Sequence, residues 1–413
     1  MHKRRVVVTG MGVKSSIGND LTSFLVNLKA GVHGIKPIEF FDASNLEVKL
    51  ASYDYEFKPE DYFSSREIKR NDRFCQMALA STFDALNGQN LLDFYSNPFR
   101  VGVIFSSGIG GFTTMQNQHI NFLNKGPSGV SVFFIPMMIS NMAAGVISIA
   151  TGFCGDNFGV VSACASSNHA LGEAFHKIRD GYLDACVAGG SEAGISEFIV
   201  SGFQNMMALT KEKNPELASI PFDRRRSGFV MGEGAATLIL EELECALKRG
   251  AKIYGEIVGY GATCDAFNVT RPKPDAVAQA KCMETALLDG DVKLEEVDYV
   301  NAHGTSTIIN DVTETKAIKL LFKSHAKKLM ISSIKSMTGH MLGAAGAIEA
   351  VATVLSLNEG FVFPNVGYVE PDENCDLNYV LDGTEVNDLK VAISNSFGFG
   401  GHNACVCFKK FEN

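Results

Sequence analysis

Three short segments hold the residues able to do chemistry: Ala163-Cys164-Ala165-Ser166-Ser167, Asn301-Ala302-His303-Gly304-Thr305-Ser306-Thr307 and Lys335-Ser336-Met337-Thr338-Gly339-His340. One cysteine and two histidines stand among small residues, in tight turns or at the start of a helix. A thiolate attacks a carbonyl carbon, and imidazoles receive the charge that develops. Gly159-Val160-Val161-Ser162 reads as a strand that runs straight into the helix after Cys164. A sulfur at a helix N-terminus meets unpaired N–H groups and the positive end of the macrodipole. Its pKa is therefore expected to fall from about 8.5 toward neutrality. The same N–H groups suit the oxyanion of a tetrahedral intermediate. Brought together by the fold, the three segments make a thiol enzyme of acyl transfer.

Taken singly, each residue has a plainer explanation: Cys164 as a small buried residue, each histidine as a structurally satisfied one. Three reactive groups in matching turns shift the balance to function. Their spacing does not suit a local zinc site. No aspartate stands out to complete a hydrolytic triad. Two imidazoles without an orienting carboxylate suit hydrogen bonding to a charged substrate group, which points to carbon–carbon bond formation rather than hydrolysis.

Other motifs carry less. Gly10-Met11-Gly12 lacks the third glycine of a dinucleotide fingerprint and reads as a turn. Ser394 to Asn403 is a glycine-rich loop whose Phe397 and Phe399 fit a mobile lid over an acyl chain. Asp311-Val312-Thr313-Glu314 fits a capping box. Arg224, Arg225 and Arg226 are expected to pair with acids such as Asp223.

Positioning these groups requires alternating strands and helices. Strands are expected over 6–9, 101–106, 184–188, 236–240, 299–302, 329–332 and 391–394, with helices over 73–86, 167–179, 275–288, 312–321 and 343–357. The Ala- and Gly-rich stretches after Cys164 and after His340 resemble one another, so two similar halves are expected to meet near residue 250. With 413 residues the chain can bury a large core, and 40 glycines suit many tight turns. A formal charge of −9 argues against a general nucleic-acid binder, with room left for local basic patches. The ten cysteines include no C-x-x-C pair and read, Cys164 apart, as buried free thiols of a reducing compartment, the cytoplasm. The apolar stretch 133–153 is interrupted by Pro136, Ser140 and Asn141, which predicts a buried helix and no membrane insertion.

From Val6 to Lys409, with its motifs in order, the sequence resembles the β-ketoacyl-acyl-carrier-protein synthases of bacterial fatty-acid synthesis, in particular their type II branch that elongates medium and long chains. The resemblance implies a thiolase-like five-layered αβαβα sandwich of two duplicated halves, usually a homodimer. Residues 1–250 would carry the nucleophile and 251–413 the two histidines. By that resemblance Cys164 accepts the acyl group, while His303 and His340 bind the malonyl thioester and promote loss of its carboxylate. Lys335 organises the site with Glu349, and Phe399 gates it and lends its N–H to the oxyanion hole. Thr305 and Thr307 match the threonines that hydrogen-bond the pantetheine amides, and Thr270 a further substrate-binding position. Ile109, Phe203 and, from the partner subunit, Phe134 match the acyl pocket. The implied partner is acyl carrier protein, with substrates on its phosphopantetheine arm and no metal or redox cofactor. An arginine that some relatives have near the carrier entrance is missing at Met206-Met207-Ala208, leaving Arg66, Lys69, Arg70 and Arg73 as candidate docking residues. The alternative is a specialised, polyketide-type ketosynthase with the same Cys-His-His chemistry. A non-catalytic partner subunit would lack Cys164, and a biosynthetic thiolase would want a second catalytic cysteine.

Overall fold

The computed structural model describes residues 3–412. Ten strands form its largest sheet: β1 (Val6–Ser15), β2 (Val101–Ser106), β3 (Asn157–Phe158), β4 (Ala185–Glu192), β5 (Gly234–Glu242), β6 (Gly255–Cys264), β7 (Tyr299–Asn301), β8 (Met330–Ser332), β9 (Val391–Gly398) and β10 (His402–Lys409). Their order is β8-β7-β9-β10-β6-β1-β5-β4-β2-β3. Split between β1 and β6, both halves show the same arrangement: three parallel strands, then two antiparallel ones. The halves join where β1 pairs antiparallel with β6 at Val6–Ile257, Val7–Glu256 and Val8–Gly255. Repeated topology is the structural form of the duplication seen in the sequence.

Nine helices matter for the site: α1 (Arg73–Leu86), α2 (Phe112–Lys125), α3 (Phe134–Met138), α4 (Met142–Thr151), α5 (Ser166–Arg179), α6 (Glu197–Asn205), α7 (Val277–Asp289), α8 (Ile308–Phe322) and α9 (Ala345–Glu359). Helices α5 and α9 pack on one another and on strands of both halves, so they form the middle layer. Every residue from Ala345 to Leu357 is buried, as a helix covered on all sides must be. Small residues make this possible. A Cβ on Gly346 would lie 2.9 Å from the Asn168 backbone nitrogen, and one on Gly172 would strike the Tyr260 ring. Helices α1 and α4 cover the outer face of the first half, and α7 and α8 that of the second. The result is the five-layered αβαβα sandwich expected.

Some local readings are corrected. Gly10 and Gly12 lie inside β1 rather than in a turn, where absent side chains let the Ala85 and Ser81 carbonyls of α1 approach. The strand before Cys164 is Asn157–Phe158, and residues 159–162 are irregular. The stretch 133–153 breaks into α3 and α4 at residues 139–141. Residues 394–403 are the paired ends of β9 and β10 joined by a turn at Phe399–Gly401, not an irregular loop. Strands β6 and β10 were not foreseen. Cys154 and Cys264 are exposed, so the buried-thiol reading fails for them. Among the described residues, no helix is long and apolar enough to cross a membrane.

Candidate active site

Both central helices begin in the same strained way. Ala163 adopts φ +52° beside Cys164, and Leu342 φ +45° two residues after His340. Left-handed backbone at residues with a Cβ costs free energy and persists only where the surroundings enforce it. A single 3₁₀ turn follows each, Ala163–Ala165 and Leu342–Ala344, and then α5 or α9 starts. The Ser166 hydroxyl braces the first turn by accepting from Ser162 N at 2.9 Å and donating to Ala163 O at 2.6 Å.

The three reactive groups meet. The accessible atoms of Cys164, His303 and His340 lie within 4.8 Å of one another, all buried. His340 Nε2 is 3.0 Å from Cys164 Sγ. The two imidazole rings meet edge to face with centroids 5.3 Å apart. Lys335 Nζ donates to His303 Nδ1 at 3.3 Å and is ion-paired with Glu349. An ammonium on Nδ1 forces the proton of a neutral imidazole onto Nε2, so His303 presents a donor to the cavity. His340 Nδ1 has no partner among the described residues, which leaves its tautomer unpinned.

The electrostatics correct one expectation. Burial pushes the Cys164 thiol up to about 12, against the pull of the Lys335 ammonium and the Phe399 N–H. Desolvation of the buried sulfur outweighs the helix terminus, so the thiol rests neutral. Burial, with Lys335 and His340 nearby, holds His303 well below its ordinary value, and burial and Lys335 do the same to His340. All three groups are therefore neutral near pH 7. The same trio could ligate a soft cation, but the Lys335 ammonium 3.3 Å from the His303 ring repels one there.

Backbone placement does the rest. Gly398 needs its missing side chain: a Cβ would sit 2.9 Å from Ser162 O and 3.0 Å from Cys164 N. That contact brings the Phe399 N–H onto the sulfur, beside the N–H of Cys164. His303 is held from below by Glu314, which accepts from His303 N at 2.9 Å and Gly304 N at 2.8 Å. Asp311 accepts from Thr305 N at 3.1 Å. Asp311 and Glu314 are thus not a capping box. Thr307 is the N-cap of α8, and both acids point back into the loop that carries His303. His340 is fixed through its backbone, donating to Val230 O at 2.8 Å and accepting from Gly232 N at 2.9 Å.

Cys164, His303 and His340 face a cavity of about 530 Å³. Ile109, Phe203, Thr270, Thr305, Thr307 and Phe399 line it. The Thr305 and Thr307 hydroxyls are 2.9 Å apart, and the Phe203 ring packs between those of Phe229 at 5.6 Å and Phe399 at 6.4 Å. Phe134, in α3, does not line the cavity of its own chain. Lys335 and Glu349 lie behind the histidines. Of the basic candidates, Arg73 is used internally: it pairs with Glu233 at 2.8 Å and lies over Tyr53 and Phe57. Arg70 lies over Phe133, while Arg66 and Lys69 are exposed. Arg225 and Arg226 make the ion pairs expected, with Asp223 and with Asp372.

Sequence reading missed Glu192, wholly buried, which accepts from Gly108 N at 2.8 Å and Gly343 N at 3.0 Å and so ties the Ile109 loop to the start of α9. It also missed the role of Glu314. A lone acid at a strand end or in a helix gives no sign of which backbone amides it will meet.

A duplicated αβαβα sandwich with a buried thiol and two imidazoles at its centre defines a condensing acyltransferase. Residues 3–246 match the family model described as the N-terminal domain of beta-ketoacyl synthase, and residues 254–369 match that of its C-terminal domain. The chain belongs to the beta-ketoacyl synthase family. It is 46% identical over 413 residues to 3-oxoacyl-[acyl-carrier-protein] synthase 2 of Synechocystis, covering 100% of this chain and 99% of that one. To the protein of the same name from Staphylococcus aureus it is 44% identical over 409 residues, covering 99% of each. Among solved structures it is similar to a chain of a type II PKS acyl-carrier protein in complex with its ketosynthase, at TM-score 0.92 and 31% identity over 99% of this chain and 100% of that one. It also resembles a beta-ketoacyl synthase from Burkholderia phymatum, at TM-score 0.89 and 32% identity over 99% and 100%.

Proposed function

We propose that this chain elongates fatty acids by decarboxylative Claisen condensation of malonyl-acyl carrier protein with an acyl chain held on Cys164. The observation that carries the reading is the neutral thiol 3.0 Å from His340 Nε2, beside a second imidazole whose tautomer Lys335 pins. In the first half-reaction Cys164 Sγ attacks the acyl thioester while its proton passes to His340 Nε2. The N–H groups of Cys164 and Phe399 hold the oxyanion. As the tetrahedral intermediate collapses, the departing pantetheine sulfur takes the proton. In the second half the malonyl thioester oxygen accepts from His303 Nε2–H. Acylation has removed the thiol, so His340, unpinned at Nδ1, exchanges its Nδ1 proton with solvent for one on Nε2 and donates that Nε2–H to the same oxygen. Loss of carbon dioxide leaves an enolate, whose carbon attacks the Cys164 thioester. The Cys164–carbonyl bond breaks, and a proton from solvent restores the thiol. Departure of carbon dioxide supplies the carbanion, so this chemistry asks for no metal or redox cofactor.

The partner in this reading is acyl carrier protein, which the names of both curated relatives specify for those enzymes. A homodimer is the proposed assembly. The edge strand β3 has a free side among the described residues, and Ile149, on the helix α4 that packs against it, is an exposed apolar residue that a second copy would cover. The partner's Phe134 would then complete the acyl pocket. Identity of 44–46% to fatty-acid-type enzymes, against 31% to a polyketide ketosynthase, favours fatty-acid elongation over a specialised pathway. Replacement Cys164→Gln tests the division of labour: malonyl decarboxylation should continue while condensation stops. Failure to release carbon dioxide would refute separate roles for sulfur and imidazoles.

A further inference from the structure

The cavity mouth holds one cation without work to do. Arg271 is the only Lys or Arg lining the cavity, it is exposed, and its guanidinium makes no hydrogen bond, ion pair or ring contact among the described residues. Its basic neighbours are engaged: Lys273 pairs with Asp275 at 2.8 Å, and Lys316 donates to Pro274 O at 2.8 Å. Asp265, the one carboxylate of the lining, is buried and occupied by Lys273 N at 2.9 Å and Asn403 Nδ2 at 2.7 Å. No unoccupied carboxylate lines the cavity beside Arg271 among the described residues.

The loop that carries it is built, not slack. Asn268 Oδ1 accepts from Thr270 N at 3.0 Å and Arg271 N at 3.1 Å, an Asx turn. Val269 O accepts from Gly400 N at 2.7 Å, which fastens the loop to the Phe399 turn. Across the mouth stand exposed apolar side chains, Met206, Met207 and Ile308. A guanidinium framed by apolar groups holds an anion more tightly than one ringed by water and carboxylates. In a chain of net charge −9, an anionic substrate also needs a local positive point at which to enter.

We propose that Arg271 is an anion-binding residue for the phosphate of the substrate's phosphopantetheine arm, at the outer lip of the cavity. This rests on the condensing reading, which delivers substrate as a phosphate-bearing thioester; the acyl end reaches Cys164 and the phosphate end stays at the mouth. The arm's phosphate, rather than acidic side chains of the carrier, is the assigned ligand, because one isolated guanidinium in the cavity lining matches one phosphate and not an extended acidic surface.

The test compares acyl-4′-phosphopantetheine with acyl-pantetheine as donors to Cys164 in the intact protein, read as acyl-enzyme by mass. Wild type should prefer the phosphate-bearing thioester in KM. Arg271→Gln should lower that preference by about tenfold, and Arg271→Lys should retain most of it. A merely structural role would change both donors alike and leave the ratio fixed. A ratio unchanged in Arg271→Gln, or no preference in wild type, overturns the assignment. A wild-type chain that accepts acyl groups neither from these donors nor from acyl-carrier protein refutes the condensing reading itself, a distinct result.

Discussion

Glu314→Gln probes how His303 is held. The two carboxylate oxygens of Glu314 serve three donors: His303 N at 2.9 Å, Gly304 N at 2.8 Å and Asn395 Nδ2 at 3.2 Å. Glutamine keeps one acceptor oxygen and places an NH₂ where the other stood, so one backbone N–H faces a donor. Stranding a buried donor costs about 1–3 kcal/mol, and the His303 turn must shift to relieve it. His303 Nε2 then leaves the enolate oxygen it serves. Loss of one such donor costs on the order of 10²-fold in related oxyanion sites, and a partial shift should lower malonyl decarboxylation by about 10- to 100-fold. Acyl loading depends on Cys164, His340 and the Phe399 N–H, none of which touches Glu314, so it should stay within about twofold. Burial holds Glu314 up at about 7, from 4.5. The folded wild type therefore keeps a proton that the unfolded chain releases between those values, and its stability falls as pH rises through that window. The stability deficit of the variant should accordingly narrow from pH 5 to pH 7 and stay constant above. The assays are carbon dioxide release from malonyl-carrier protein, acyl-enzyme formation by mass, and urea unfolding at several pH values. Equal losses in both half-reactions would refute the reasoning, because the defect would then not be confined to His303.

Alkylation of Cys164 by iodoacetamide follows its thiolate fraction, so with the thiol pushed up to about 12 the rate should keep rising through pH 10. A plateau near pH 7 would show an ordinary activated thiolate. Gly398→Ala places a Cβ 2.9 Å from Ser162 O and 3.0 Å from Cys164 N. It should cut acyl loading by about 100-fold through the displaced oxyanion pair; wild-type loading would remove Phe399 N–H from the mechanism. Phe399→Ala should impair loading more than it lowers the melting temperature, as scanning calorimetry beside the loading assay would show. Unchanged loading would rule out the gate.

What the sequence revealed follows from local physics. Helix α1 is legible over its full span, 73–86, because its apolar spacing is a local signal. Strand β6 and hairpin partner β10 were missed because their small residues and cysteines show no alternation: both faces are buried by helices, so no polar side marks them. The three reactive residues were legible through the turns that hold them. The thiol's protonation was not, since the direction of its shift depends on how completely distant segments bury it. Glu192 and Glu314 were invisible for a related reason. Their work is to accept from amides in the Gly108–Ile109 loop, 83 and 84 positions away in sequence, and in the His303 turn, 10 and 11 positions away. No spacing rule reports such contacts.

The most direct measurement supplies purified protein with acyl- and malonyl-carrier protein and follows both products by mass. One carbon dioxide should appear for each β-ketoacyl product two carbons longer than the donor, and Cys164→Ala should form neither acyl-enzyme nor product. Acyl groups that are hydrolysed or merely exchanged, with no carbon–carbon bond formed, would contradict it.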